Sequence, residues 1–101
     1  MLLLLAQLQA KTAARGEVKT ILERLVASTQ DEAGNIFYAV HQQQDQPDNF
    51  MVYELYRDQA ACDVHLQSEP VTAALQGMEA LLENSPVITF CDTLAHTSMK
   101  A

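Results

Sequence analysis

Tryptophan is absent from this chain, and aromatic residues make up only 6% of it. Cysteine is scarce as well. Cys62 and Cys91 are its two thiols, and no CxxC spacing joins them. Two such residues build no disulfide framework and read as reduced thiols of a cytoplasmic protein. Three Gly and three Pro exclude collagen-like and low-complexity classes. Positive charge is the third shortage. Six Lys and Arg stand against 13 Asp and Glu, for a formal net charge of −7. With no basic cluster beyond one short stretch, a nucleic-acid partner is not expected. Nor is a membrane. The apolar run from Met1 to Ala6 is far shorter than the ~20 residues of a span. It lacks a leading basic region and Gln7 and Gln9 break it, so it reads as a buried strand rather than a signal peptide.

What is present is one domain's worth of chain. The 101 residues are 49% hydrophobic and 19% charged, too apolar for disorder and enough for one modest core over 1–101. Charge is uneven along them. Residues 1–25 carry Lys11, Arg15, Lys19 and Arg24 against Glu17 and Glu23, whereas beyond them only Arg57 and Lys100 are basic. Lys11, Arg15 and Lys19 recur every four residues and share one side of a helix. That side is a solvated face or a dock for an anionic partner.

Residues 2–10 read as the first strand. Ala14, Val18, Ile21, Leu22, Leu25 and Val26 then form one apolar stripe, which predicts a helix over 13–29. Gly34 and Asn35 break the chain. Ile36 to Val40 and Phe50 to Tyr56 read as two strands joined by a polar loop from Gln42 to Asn49. Asp58 is a candidate N-cap for a helix from Gln59, interrupted at Ser68-Glu69-Pro70. A second helical piece carries Val71, Ala74, Leu75, Met78, Leu81 and Leu82. Val87 to Leu94 is the last strand, and the tail after His96 reads as loose. The order β-α-β-β-α-β is the ferredoxin-like α+β arrangement, a four-stranded antiparallel sheet with helices on one face.

Helices cover only one face of such a sheet, so the other should alternate polar with apolar residues. It does not. Ile36, Tyr38 and Val40 oppose Phe37 and Ala39. Phe50, Val52, Glu54 and Tyr56 oppose Met51, Tyr53 and Leu55. Both faces are apolar, and leaving one wet would forgo several kcal/mol at roughly 25 cal/mol per Å². A patch of that kind marks an interface, most simply with a second copy about a twofold axis.

Three segments resemble the antibiotic biosynthesis monooxygenase family. Asp31 to Val40 (DEAGNIFYAV) is similar to the family's "EPGCLRYEV" stretch. Asp48 to Asp58 is similar to its "xxFVLYEEWxD" strand, and Gln59 to Ser68 to its "EAALDAHLxS" helix. The resemblance covers nearly the whole chain in the right order. It implies a dimeric α+β barrel, in which two ferredoxin-like sheets pack face to face. It also implies a range of chemistries. The family holds cofactor-independent oxygenases of quinols and polyphenols, haem-degrading relatives, an isomerase of a signalling sugar derivative and members without known activity. Fold alone therefore does not choose among them. Departures narrow the choice. The family's strand tryptophan is Tyr56 here. Its second histidine, in "HLxSxHF", is replaced by the stretch Glu69-Pro70-Val71. The histidine that haem-degrading relatives use has no counterpart between Val71 and Leu82.

His65 matches the family's helix histidine. An imidazole suits a general base, which a cofactor-free oxygenase needs to deprotonate a phenol. Its plainer role is a hydrogen bond within the turn around Ser68. Glu54 is a carboxylate inside an apolar strand, so it needs a partner. Arg57 or Arg24 could pair with it, or it could act as a second acid/base. Tyr38 and Tyr53 could each donate to a substrate oxygen or serve as packed sheet tyrosines. Gln7, polar within an apolar run, could line a pocket or mark a strand edge. His41, His65 and His96 match no metal spacing, and no glycine-rich phosphate loop exists. No metal, flavin or nucleotide cofactor is expected.

The resemblance thus implies a homodimeric monooxygenase acting on a small quinol or polyphenol. A non-oxidative isomerase or decarboxylase of a ketone-bearing metabolite is the alternative, followed by a non-catalytic binding dimer.

Overall fold

The computed structural model describes residues 1–100. The first strand, β1 (Leu2–Gln9), alternates as a half-buried strand must. Leu4, Ala6 and Leu8 are buried, while Gln7 and Gln9 are exposed. Ala10 then makes a single bridge to Leu82, one residue past the strand proper. A short 3-10 turn at Thr12–Ala14 leads into α1 (Arg15–Thr29), so the helix starts two residues later than its apolar stripe suggests. Val18, Leu22 and Leu25 form its buried stripe.

The strands β2 (Asn35–Gln42) and β3 (Asn49–Tyr56) form a hairpin closed by the polar loop between them. Asp58 caps α2 (Gln59–Leu66), accepting the Ala61 N–H at 2.9 Å. Pro70 sits in the first turn of α3 (Glu69–Met78), where its missing N–H leaves no bond unmade. This helix ends at Met78. Leu82 packs into the core from beyond it. The last strand, β4 (Val87–Asp92), stops two residues short of the expected end at Leu94.

All pairings are antiparallel and the strand order is β2-β3-β1-β4. With the helices packed on one face, this is the ferredoxin-like α+β fold. The core lies between that face and the helices, around Leu4, Val18, Leu22, Phe50, Val52 and Tyr56. One strand departs from strict alternation. Asn35 pairs with Tyr56 and Phe37 with Leu55, which leaves Ile36 out of register. Ile36 was expected to share the face of Tyr38 and Val40, but this irregularity leaves it exposed.

Candidate functional site

The register assembles the site. Phe90 of β4, Leu4 of β1, Glu54 of β3 and Tyr38 of β2 form one row across the helix-covered face. The next row runs Ile88, Ala6, Val52 and Val40. A carboxylate thus stands in an apolar floor. Above it α2 presents His65, three residues after the fully buried Cys62 and therefore on the same side of the helix. His65 is only 2% exposed.

Both ring nitrogens of His65 face carboxylates. Nδ1 lies 3.0 and 3.1 Å from the two oxygens of Glu32, in the loop after α1. Nε2 lies 3.4 Å from Glu54 Oε1. The Tyr56 hydroxyl donates to that same Oε1 at 2.8 Å. Tyr38 and Tyr56 flank the imidazole with ring centroids 5.5 and 5.4 Å away. In the tautomer with its proton on Nδ1, the ring donates to Glu32 and turns Nε2 towards Glu54.

Electrostatics follow from burial. Removal from water pushes the Glu54 carboxyl up to about 7, and the nearby Glu32 charge adds to the rise against the lowering effect of the Tyr56 bond. Burial, then the Glu54 and Glu32 charges, holds the Tyr38 hydroxyl far above the usual phenol range. Burial and Glu54 do the same for Tyr56. Both tyrosines are therefore permanent donors, and Glu54 is the group poised to exchange a proton near neutrality.

A cavity of about 450 Å³ opens beside this cluster. Glu54, His65 and Tyr38 are its polar lining. The rest is apolar, with Leu22 and Leu25 from α1, Leu66, Val71 and Leu75 from the other helices, and Ile88 and Phe90 from β4. The hollow of about 490 Å³ between α3 and Pro86 is larger but holds none of the three polar groups. Convergent polar groups in an apolar wall, rather than size, mark the candidate site.

The structure therefore brings together three of the five residues singled out from sequence: His65, Glu54 and Tyr38. Tyr53 and Gln7 lie on the opposite face of the sheet, in the register of Leu5 and Met51 respectively. Tyr53 there packs edge-to-face on Phe37 at 6.0 Å. One expected contact is corrected. Glu54 pairs with neither Arg57 nor Arg24, because it points under the helices. Arg57 bonds Asp58 instead. Ser68 does bond His65, but through the backbone carbonyl, which leaves the ring free for the carboxylates. Glu32 escaped sequence reasoning, since a loop has no periodicity to place it. The Tyr56 contact was legible in principle, two residues from Glu54 on the same strand face.

The sequence profile described as "Antibiotic biosynthesis monooxygenase" matches residues 1–77. The chain belongs to the antibiotic biosynthesis monooxygenase family. Several solved structures share its fold. A Pseudomonas aeruginosa protein, PA3566, is 33% identical with a TM-score of 0.86, covering 93% of this chain and 94% of its own. A crystal structure described as an antibiotic biosynthesis monooxygenase is 26% identical with a TM-score of 0.88, over 94% of this chain and all of its own. Rv0793 from Mycobacterium tuberculosis shares the fold at 22% identity and a TM-score of 0.90, over 96% and 98% of the two chains. No curated protein matches the chain. Among the described residues no helix is long and apolar enough to cross a membrane.

Proposed function

We propose that this chain is a monooxygenase that oxidises a small quinol or polyphenol with O₂, without metal or flavin, as a cytoplasmic homodimer. One observation carries the reading: a carboxylate and an imidazole 3.4 Å apart in the wall of an otherwise apolar cavity. A phenol reacts with O₂ far more readily as its anion, so the first need is a base. Glu54, with its affinity raised to about 7, takes the phenolic proton near neutral pH, and His65 Nε2 shares it. The anion passes one electron to O₂, and the two radicals combine at a ring carbon. Loss of water then leaves a ketone. One quinol and one O₂ give one hydroxyquinone and one water, so the substrate itself supplies all the electrons. Tyr38 remains a donor throughout and steadies the developing oxyanion. The apolar walls keep water from the intermediates.

The homodimer is proposed on the apolar character of the uncovered sheet face, where Tyr53 and Gln7 would meet the second copy. Cytoplasmic residence is proposed on the free thiols of Cys62 and Cys91.

Oxygen uptake with a panel of hydroquinones tests the chemistry. Wild type consumes O₂ with at least one of them, and His65→Ala is slower by roughly 10²-fold or more. Equal rates for the two proteins would remove His65 from the mechanism. Product formed under strict anaerobiosis would reassign the site to an isomerase or decarboxylase of a ketone-bearing metabolite. Failure of every ring compound to bind would leave a non-catalytic dimer.

A further inference from the structure

A buried histidine held only for structure needs one acceptor for its ring proton. His65 has two carboxylates, one on each nitrogen, and they repel each other across the ring. Removing both from water adds a desolvation cost that a single partner would avoid. The two also differ in where they lead. The Glu54 side chain is 7% exposed and lines the cavity. The Glu32 side chain is 24% exposed and borders a separate outer hollow with Gly34, Arg57 and Ala61.

We infer that Glu32 is the outer end of a proton path, Glu32–His65–Glu54, that fixes the His65 ring and links the cavity carboxylate to the protein surface. This deepens the proposed reaction and rests on Glu54 being its proton acceptor. As Nε2 takes the proton from Glu54, Nδ1 gives its own to Glu32, so no charge accumulates on the imidazole. The 3.4 Å gap at Nε2 closes to hydrogen-bond length by a small tilt of ring or carboxylate. Water in the outer hollow takes the proton from Glu32. The return trip delivers a proton when water leaves the oxygenated substrate, which restores the starting tautomer. Glu32 touches no substrate in this scheme and is a positioning residue. The other titratable groups beside the ring are Tyr38 from β2 and Tyr56 from β3, and Cys62 lies one turn earlier on α2. Arg57 lies at the rim of the outer hollow. Burial holds both tyrosines and Cys62 protonated, so none of them competes as a relay.

The path is tested first without turnover. The infrared band of the Glu54 carboxyl, identified by its loss in Glu54→Gln, is followed after a jump in pH. Glu32→Gln still accepts from Nδ1 but cannot take a proton, so re-equilibration slows by roughly tenfold or more. Glu32→Ala slows it too, and added formate, entering the vacated space, restores the rate there. Re-equilibration at the wild-type rate in Glu32→Gln, which is isosteric and keeps the fold, would overturn the path. With any hydroquinone that wild type oxidises, Glu32→Gln lowers kcat and leaves KM nearly unchanged. If wild type oxidises none while the infrared rates separate, the path stands and the proposed oxidation fails.

Discussion

Glu54 concentrates the chemistry of this molecule at the scale of one residue. It is an acid at a core position, hydrogen-bonded by a tyrosine hydroxyl with an imidazole 3.4 Å away, rather than paired with an Arg or Lys. Its proton affinity then ties stability to pH. The folded chain holds the Glu54 proton more tightly than the unfolded chain, with the carboxyl at about 7 against an ordinary value of 4.5. The stability this supplies is complete below pH 4.5 and is lost as pH rises through 7. The shift corresponds to about 3 kcal/mol at most. Urea unfolding at pH 4.5 and pH 8 is expected to show wild type losing more stability between the two than Glu54→Gln does. An equal loss in both proteins would mean that the fold does not raise the proton affinity of Glu54. This partner choice was only half legible in the sequence. The need for a partner followed from an acid in an apolar strand. The identity of that partner depended on which side of the strand the helices cover, and on a loop residue 22 positions upstream.

Elements explain what could and could not be read. The stripe Val18, Leu22, Leu25 and the cap Asp58 are local signals, and both elements stand where those signals put them. Helix and strand ends moved by a few residues, because a 3-10 turn and a bridge continue the pattern without continuing the element. The Ile36 irregularity left no local mark, since only the partner strand defines the register. Gly34 marks a break in the sequence, and the structure gives it a second reason. A Cβ at Gly34 would collide with the Ala61 side chain, so the glycine lets the chain entering β2 press against α2. Its carbonyl also accepts the Arg57 N–H at 2.9 Å. That contact holds the Glu32 loop beside the helix that carries His65. Gly34→Ala is expected to cost about 1–3 kcal/mol in chemical denaturation. Ala61→Gly, which removes the colliding methyl, recovers part of that loss in the double variant. A fully additive pair of costs would show that the close approach is not what Gly34 provides.

The whole molecule raises the question of the uncovered sheet face. Leu3, Leu5, Phe37, Ala39, Met51, Tyr53, Leu55 and Val87 share it by the register, with Gln7, His41, Thr89 and Cys91. No Asp, Glu, Lys or Arg stands at any of these positions. A sheet face that stays in water usually carries such charges. Phe37 and Met51 are 42% and 37% exposed in the single chain, and Phe37 packs on the Tyr53 ring. The acidic residues behind the −7 net charge stand off these positions, so salt would screen much of the repulsion between two such faces. Light scattering at micromolar concentration is expected to give twice the chain mass of 11.2 kDa. Phe37→Asp places a carboxylate on the edge strand of this face, beside the Tyr53 ring and outside the core, so it should return the mass to that of one chain with an unchanged circular dichroism spectrum. A wild-type mass of one chain would show instead that this face is left in water. A Phe37→Asp mass still twice that of the chain would move the interface to another surface.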